Sequence, residues 1–423
     1  MTRSEPGGVH VGERGDPASA AWGRRALLRL GAVAGAGLLL PACTRESADA
    51  APAAPAAPAA PTRTMMRFPG KSALILLTDR PPQLETPLHY FRQDFTPNEA
   101  FYVRWHLSGL PTAVDIRTFR LTIAGHCDRP LSLGLEDLRS RFDPVEVVAV
   151  NQCSGNSRGL FQPRVPGSQW GNGAMGNARW TGVRLKDLLD RAGVRPGAVC
   201  VTFQGLDRPP LPSTPAYIKA LAADHALDGE VMVAYAMNGQ PLPMLNGFPL
   251  RLVVPGWYAT YWVKALSDIT VLDHPFSGFW MDKAYRIPTA PDAQEAPDRL
   301  ATDTVPINRL SLRSLFVRPE PDERVERHQA YPVEGIALDG GIGIQRVEVT
   351  CDGGASWQQA ALDPVIGRYS WRRWRLPWTP QAPGSMRLMA RAVDRDGRTQ
   401  TTAQWNHGGY ARNVMECVDV TVL

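Results

Sequence analysis

A proline-containing stretch at residues 287–306 divides the sequence into two parts of different character. After it, short runs that alternate apolar and polar residues recur, as at 346–351, 386–393 and 417–423, and turns such as Asp352-Gly353-Gly354 separate them. Alternation with a period of two, interrupted by glycine-containing turns, is typical of an all-β sandwich. We therefore predict a domain boundary near residue 300 and a sandwich domain over residues 301–423.

The part before this boundary mixes strand and helix signals. Residues 145–150 (Val-Glu-Val-Val-Ala-Val) indicate a buried strand, and residues 250–254, between two prolines, indicate another. Apolar residues at 183, 185, 188, 189 and 192 follow helical spacing, and Gly193 provides a stop signal. Residues 65–300 are therefore predicted to form a mixed α/β domain, and the fold class of the chain is α+β.

Residues 1–49 have the pattern of an export signal. Arg24-Arg25 precede an apolar run from Leu30 to Leu40 that is too short to span a bilayer, and small residues follow it. The twin arginine favours Tat export to the periplasm over an ordinary Sec signal with a chance arginine pair. The end of the run resembles a lipobox, which leaves open whether Cys43 carries a lipid anchor. Because residues 50–61 are only alanine and proline, we predict a linker over residues 50–64.

Composition excludes several classes of function. The chain has 46 Lys and Arg against 41 Asp and Glu among 423 residues, a net charge of +5 that gives no support to nucleic-acid binding. Its six cysteines include no C-x-x-C and no C-x-x-C-H, since the nearest pair, Cys127 and Cys153, lies 26 residues apart. This spacing excludes thioredoxin chemistry, the usual zinc knuckles and a covalently attached c-type haem.

Two short motifs match well-known functional patterns in the wrong context. Residues 171–176 fit G-x-G-x-x-G, but prolines precede them and no helix start follows, so a dinucleotide site is not expected. Residues 155–159 fit G-x-S-x-G with Ser157 at the centre, but Gly159, Pro163 and Pro166 oppose the helix that a nucleophile elbow needs. A serine hydrolase using Ser157 is therefore the weaker alternative.

The residues that best suggest chemistry follow the predicted strand at 145–150. Cys153 leaves this strand into a polar, glycine-containing loop, and Arg158 lies five residues further on, where it would favour a thiolate. The alternative is that Cys153 is a small buried apolar residue. Arg104 lies in an aromatic-rich run, and several such arginines together suggest a pocket for an oxyanion, because the guanidinium group binds oxyanions in a bidentate manner.

The chain resembles the sulfite oxidase family of molybdenum enzymes, and within it the bacterial haem-free sulfite dehydrogenase catalytic subunits. The resemblance runs from about residue 80 to the C-terminus. It is carried by Asn-Gln-Cys-Ser-Gly-Asn-Ser-Arg at 151–158, Gly-Asn-Gly-Ala-Met-Gly-Asn-Ala-Arg-Trp-Thr-Gly at 171–182, Arg-Trp-His at 104–106, Phe-Pro-Leu-Arg-Leu-Val-Val-Pro-Gly at 248–256 and Lys-Ala-Tyr-Arg-Ile-Pro at 283–288.

The resemblance implies a molybdopterin-binding domain followed by an immunoglobulin-like dimerisation domain. Cys153 would be the single protein ligand of molybdenum, and the pterin dithiolene would supply the other sulfur ligands. The catalytic residues would be Arg104, His106, Arg158 and Tyr285. The residues that contact the pterin cofactor would be Asn151, Gln152, Ser154, Asn156, Asp207, Asn246, Arg251, Trp262, Val263 and Lys264.

The sequence departs from the family pattern at two places. The animal enzymes have a histidine where this chain has Asn246, and the glycine-rich loop at 339–342 lacks the active-site arginine of the animal and plant members. Arg412, in Gly-Gly-Tyr-Ala-Arg-Asn at 408–413, is the candidate to replace that arginine.

The expected function is oxidation of sulfite to sulfate with electron transfer to a separate c-type cytochrome, because no segment offers a haem-binding stretch. A sibling molybdoenzyme that acts on a protein-bound sulfane or another sulfur oxyanion is the alternative. The resemblance also implies a homodimer through the C-terminal domain or a heterodimer with a cytochrome subunit.

Overall fold

The computed structural model describes residues 63–423. The predictions for the export signal, for Cys43 and for almost all of the linker fall on residues 1–62 and lie outside this range. Within residues 63–423, no helix is both long and apolar enough to cross a bilayer.

The described chain begins with a small antiparallel sheet that carries Arg104. Its strands, in spatial order, are β1 (Met65–Arg67), β2 (Ala73–Asp79), β3 (Pro82–Glu85) and β4 (Val103–Arg104). Leu74, Leu84, Val103 and Trp105 pack beneath it against Ala265, so one face of the sheet is apolar. Because side chains alternate along a strand, burial of Val103 and Trp105 directs Arg104 to the opposite face.

Two five-stranded sheets form the centre of the first domain, with orders β10-β9-β14-β5-β6 and β12-β11-β8-β7, to which β13 adds by pairing with β11. The elements are β5 (Leu121–Gly125), β6 (Leu131–Leu133), α1 (Leu135–Arg141), β7 (Val145–Gln152), β8 (Met175–Arg184), α2 (Leu185–Ala192), β9 (Cys200–Gly205), β10 (Ile218–Ala222), α3 (Ala223–Ala226), β11 (Met232–Met237), β12 (Gln240–Pro241), β13 (Arg251–Val253), β14 (Leu266–Leu272), α4 (Phe279–Asp282), β15 (Arg286–Pro288) and β16 (Thr304–Pro306).

The strands predicted in this domain are confirmed, and so is the helix except at its start, because Val183, which the helical spacing included, lies in β8. The strand expected at 145–150 spans Val145–Gln152, and that expected at 250–254 spans Arg251–Val253. Helix α2 buries Leu185, Leu188, Leu189 and Ala192 on one face, as their spacing predicts. It ends where Gly193 adopts the left-handed conformation, with its N–H directed at the carbonyls of the last turn.

The C-terminal part is rich in strands, as predicted. It contains β17 (Arg313–Arg318), β18 (Arg324–Val325), β19 (Tyr331–Leu338), β20 (Ile344–Thr350), β21 (Gln358–Gln359), β22 (Ala361–Leu362), β23 (Arg372–Trp378), β24 (Gly384–Asp394) and β25 (Glu416–Val422). They form two sheets with orders β17-β19-β23-β22 and β18-β25-β24-β20-β21. Val333, Val347, Trp374 and Leu388 belong to the apolar core of this part.

The two parts share a continuous core, which fixes their relative position. Leu315, Ile336 and Trp371 of the C-terminal part belong to the same buried cluster as Phe91 and Val150 of the first part. The Val150 N–H donates to the Tyr369 carbonyl at 2.9 Å. Strand β7 therefore leads toward this junction, and the Cys153 loop at its end forms where the two parts meet.

Candidate active site

The end of β7 holds Cys153 in a fixed position. Its N–H donates to the Ala174 carbonyl at 2.9 Å, next to the pairing of β7 with β8, and its own carbonyl accepts from the Asn156 N–H at 3.0 Å. The side chain is a free thiol, as are those of the other four described cysteines. Cys153 is almost wholly buried yet lines a cavity, so its sulfur faces an enclosed space rather than the protein core alone.

The cavity beside Cys153 is small, with a volume of about 20 Å³, and both polar and apolar side chains form its walls. It brings together eight of the residues predicted from the sequence: Arg104, His106, Cys153, Ser154, Asn246, Arg251, Lys264 and Tyr285. Tyr102, Leu245, Ala259 and Thr260 complete the lining. Residues from segments that are distant in the sequence therefore converge on one site.

Buried cations dominate the electrostatics of this cavity. Arg251 donates from Nη1 to the Asn246 carbonyl at 2.9 Å and from Nη2 to Asn151 Oδ1 at 3.1 Å, and its guanidinium group lies over the rings of Trp180 and Trp262. Burial lowers the pKa of Arg251 to about 10. These contacts hold the arginine in place but give it no carboxylate partner.

Two lysines extend the positive charge. Burial and the nearby charge of Arg251 lower the pKa of Lys264, although Asp207 opposes the shift, and Nζ of Lys264 lies 4.7 Å from the centre of the Trp105 ring. Lys71 donates to the carbonyls of Asn98 and Phe101 and to Asn246 Oδ1, and burial lowers its pKa to about 7. A bound anion would relieve the unfavourable burial of these charges.

His106 and Tyr285, which also line the cavity, form a hydrogen-bonded pair. The Tyr285 hydroxyl is joined to Nε2 of His106, whose ring stacks on Tyr217 at a centroid distance of 3.8 Å. Burial, together with the charges of Arg104, Lys264 and Lys219, lowers the pKa of His106 well below its usual value. Burial raises the pKa of Tyr285. At neutral pH the pair therefore consists of a neutral imidazole and a protonated phenol.

Arg158 lies outside the lining of this cavity, contrary to the simple expectation of a shared pocket. Its Nε and Nη2 donate to the Gly408 carbonyl at 3.1 and 2.9 Å, so the C-terminal part fixes the guanidinium group. Arg158 is nevertheless close enough to Tyr285 for its charge to lower the pKa of that phenol.

The structure does not bring Arg412 into the cavity. Its Nη1 pairs with Glu416 Oε1 at 2.7 Å, and the same oxygen accepts from Nη2 of the fully buried Arg313 at 2.6 Å. In this position Arg412 is held by a local carboxylate and does not line the cavity, so its replacement of the family's C-terminal arginine stays a prediction.

Several residues predicted to contact the cofactor lie outside the lining of this cavity, and their role stays a prediction. Asn156 accepts from the Ala174 N–H and donates to Met175 Sδ and the Asn172 carbonyl, so its amide is used within the loop. Trp262 and Val263 are buried behind Arg251, and Gln152 also lies outside the lining. Asp207 is buried near Lys264, where burial raises its pKa although the lysine opposes the shift.

Four functional candidates escaped the sequence analysis: Lys71, Tyr102, Tyr217 and Lys219. Tyr102 donates to Asn151 Oδ1 at 2.8 Å, and Lys219 is wholly buried with its Nζ donating to the Trp280 carbonyl at 2.6 Å. Tyr102 could have been found from its place two residues before Arg104, in the same motif. The lysines carry no local signal, because only the tertiary fold shows that they are buried.

The geometry contradicts a hydrolase mechanism at Ser157. Its hydroxyl donates to Asn172 Oδ1, and a short 3₁₀ turn at Arg158–Leu160 follows it instead of an α-helix. Three histidines that a catalytic triad could use each pair with a carboxylate of their own: His225 with Asp228, His274 with Asp273, and His407 with Glu295.

Comparisons with known protein families and sequences agree with the cofactor site that the residues of this cavity suggest. The family model of the oxidoreductase molybdopterin binding domain matches residues 107–280, and that of the Mo-co oxidoreductase dimerisation domain matches residues 304–422. Mitochondrial sulfite oxidase of Rattus norvegicus is 34% identical over 376 residues, which cover 85% of this chain and 67% of that protein. Sulfite oxidase of Gallus gallus is 34% identical over 81% of this chain and 76% of its own length.

The family also includes more distant relatives. The chain is 31% identical to the NADH nitrate reductase 1 of Oryza sativa subsp. japonica, over 83% of this chain and 41% of that protein. The crystal structure of the sulfane dehydrogenase SoxCD from Paracoccus pantotrophus superposes with a TM-score of 0.69 at 26% identity, covering 80% of this chain and 84% of that chain. The protein is therefore a molybdenum oxidoreductase that belongs to the sulfite oxidase family.

Proposed function

We propose that this protein oxidises sulfite to sulfate at a molybdenum–pterin centre and passes the electrons to a separate c-type cytochrome. One observation carries the proposal: Arg104 and the His106–Tyr285 pair share a cation-rich cavity with the Cys153 thiol. The identity with curated sulfite oxidases supports the same substrate class.

The residues present fit the proposed cofactor. Cys153 would bind molybdenum, since a soft thiolate suits a metal that changes oxidation state. Arg251, Lys264 and Lys71 would neutralise the anionic pterin tail. Asn151 Nδ2, Ser154 Oγ and Arg251 Nε are among the buried polar atoms that have no partner within the described residues, and they would be available to it. The bound cofactor would supply two-electron oxidation with transfer of an oxygen atom that derives from water.

The chain's own residues would bind and orient the substrate. Arg104 borders the cavity with its Nη1 fixed to the Trp105 carbonyl at 2.8 Å, which leaves other donors of the fork for an oxyanion. The protonated Tyr285 can donate a hydrogen bond toward the oxygen where negative charge develops. Donors that are already in place need no reorganisation during the reaction, and they act strongly in a site that excludes water.

A sibling activity on a protein-bound sulfane is the second candidate. The structural similarity to the sulfane dehydrogenase SoxCD favours it, and that comparison also supports a partner subunit for electron transfer. We further propose that the chain is exported to the periplasm by the Tat route, that its C-terminal domain is an immunoglobulin-like sandwich, and that this domain mediates dimerisation or binds a cytochrome subunit.

The test is elemental analysis together with sulfite-dependent reduction of cytochrome c, on protein produced in a host that makes the cofactor. We expect about one molybdenum per chain and activity with sulfite. Cys153→Ser should reduce activity by at least about a thousandfold, because the direct metal ligand is lost. Cys417→Ser is the matched control, since that thiol is exposed on β25 and should leave activity unchanged.

Each outcome has a definite meaning. Molybdenum without sulfite oxidation, but with oxidation of a sulfane carried on a protein thiol, would replace the first candidate by the second. Reduction of nitrate by the loaded enzyme would place it with the nitrate reductases. Absence of molybdenum from the wild-type protein would reject the role of Cys153.

A further inference from the structure

A segment of the C-terminal part, residues 406–411, lies against the active-site loop. The Ala411 N–H donates to the carbonyl of Ser154, the residue that follows Cys153, at 3.2 Å. Ser154 lines the cavity. The C-terminal part therefore contributes directly to the surroundings of the site.

Tyr410 of this segment connects two residues with predicted catalytic roles. Its ring stacks on Tyr285 with centroids 5.4 Å apart and an angle of 25° between the ring planes. The guanidinium carbon of Arg158 lies 5.0 Å from the centre of the same ring. Because Nε and Nη2 of Arg158 both donate to Gly408, its Nη1 remains for another acceptor.

The segment is held in one conformation before any substrate binds. The buried Asn406 accepts from the Tyr410 N–H at 2.9 Å and donates to its carbonyl at 3.0 Å. The Glu295 carboxylate accepts from the N–H and Nδ1 of His407 at 2.7 and 2.6 Å. Gly409 has φ +57°, and a Cβ there would lie 2.8 Å from Arg158 Cγ, so glycine is required. The Tyr410 ring is thus preset rather than adaptable.

We propose that Tyr410 is the positioning residue that makes the site select a highly charged sulfur oxyanion as substrate, because its ring contacts both Arg158 and Tyr285 and holds them in place. This inference rests on the proposed function and deepens it. The Arg158 guanidinium lies over the ring, where cation–π attraction and the Gly408 carbonyl restrict its rotation. An anion with several charged oxygens, which can accept hydrogen bonds from both Nη1 of Arg158 and the Tyr285 hydroxyl, is then preferred.

The test compares Tyr410→Ala, Tyr410→Leu and Tyr410→Phe in the molybdenum-loaded enzyme. The measurements are kcat and KM for sulfite and for methanesulfinate, which has one oxygen fewer and a lower charge. Tyr410→Ala and Tyr410→Leu should raise the KM for sulfite about tenfold with kcat changed less than threefold, as expected for loss of one cation–π contact and its positioning. They should also reduce the preference for sulfite over methanesulfinate about tenfold. Tyr410→Phe, which keeps the ring, should restore wild-type values within about twofold.

Tyr235→Ala is the matched control, because Tyr235 also lies beneath an arginine, Arg139 at 5.2 Å, but outside the site. It should change neither KM nor the preference. Unchanged KM and preference in both Tyr410→Ala and Tyr410→Leu would overturn the proposal, and so would a phenylalanine variant as impaired as the alanine variant. Tyr410→Leu retains more apolar volume than Tyr410→Ala, so it can still test the proposal if the alanine variant fails to fold.

Equilibrium binding of sulfate, the expected product, separates this proposal from the proposed function. If the wild-type enzyme contains molybdenum but does not oxidise sulfite, the proposed function fails. The role of Tyr410 would then still be supported by sulfate binding that is about tenfold weaker in Tyr410→Leu than in the wild type and unchanged in Tyr410→Phe. Equal sulfate affinity in all variants, or no sulfate binding to the wild type, would reject it.

Discussion

The active-site cavity and the sheets of the C-terminal part accommodate positive charge in opposite ways. On the sheets, arginines face carboxylates across neighbouring strands: Arg391 pairs with Glu348 at 2.7 Å, and Arg387 with Asp419 at 2.8 Å. Around the cavity, Arg251 and Lys71 instead donate to carbonyl and amide oxygens.

The arginines of the sheets have their counter-charge within the folded chain, whereas the buried cations around the cavity lack one that a ligand could supply. A surface ion pair is complete in the folded chain and contributes little to stability. A buried cation without a carboxylate destabilises the chain on its own, because it has lost water and gained only neutral acceptors. Retention of several such cations beside one thiol indicates a site built for a large anion, and each prediction below tests that distinction.

Among substitutions of the cations, the largest effect should come from Arg104, which borders the cavity. We expect Arg104→Met to raise the KM for sulfite about a hundredfold, because a charge-assisted contact to the oxyanion is lost in a site with little water. Arg387→Met removes a cation of the paired class and should leave steady-state kinetics unchanged. Equal effects of the two substitutions would remove the distinction between the two regions.

A smaller effect should appear in the pH dependence of stability of the cofactor-free protein. The pKa of Lys71 is about 7 in the folded chain, against 10.5 for an ordinary lysine. Between pH 7 and 9 the unfolded chain therefore binds more protons, and stability rises with pH. For one lysine this amounts to about 2 kcal/mol over that interval, which lies below the range where tyrosines ionise.

Urea unfolding at pH 7 and pH 9 measures this rise. Lys71→Met in the cofactor-free protein should lose the part of the rise that Lys71 contributes. The loaded enzyme should also show a smaller rise than the cofactor-free protein, because an anion near the lysines raises their pKa. The same rise with and without cofactor would show that the anion does not reach these cations.

The sequence predicted those features that can be recognised within one short segment of the chain. The strand at Val145–Gln152 has the continuous apolar run of a buried strand, and the motif around Cys153 resembles a known family. The same holds for Arg104 and Tyr285, which stand in recognisable motifs and line one cavity in the structure.

What the sequence could not show depends on contacts between distant segments. Lys219 and Lys71 are ordinary lysines in the sequence, and their burial follows only from the packing of other elements over them. Arg412 stands near the position that the resemblance suggested, but Glu416, four residues later, pairs with it. Tyr410 gains its significance only because the C-terminal part folds back onto Tyr285. Local motifs thus identified the chemistry, while the tertiary fold determined which cations serve it.

The smallest effect should follow from breaking a paired site of the C-terminal part. Glu348 accepts from Arg346 at 2.8 Å and from Arg391 at 2.7 Å, and the hydrogen bond from Arg346, followed by that from Arg391, lowers its pKa although partial burial opposes the shift. A carboxylate with a lowered folded pKa stabilises the chain above its unfolded pKa of about 4.5, and this contribution is lost as pH falls through the folded value.

Glu348→Gln should therefore reduce the free energy of unfolding by about 1 kcal/mol at pH 7. The difference from the wild type should shrink toward pH 3, and sulfite kinetics should remain unchanged. Loss of sulfite oxidation in a folded Glu348→Gln protein would mean that the paired charges also serve the site, which would contradict the contrast between the two regions.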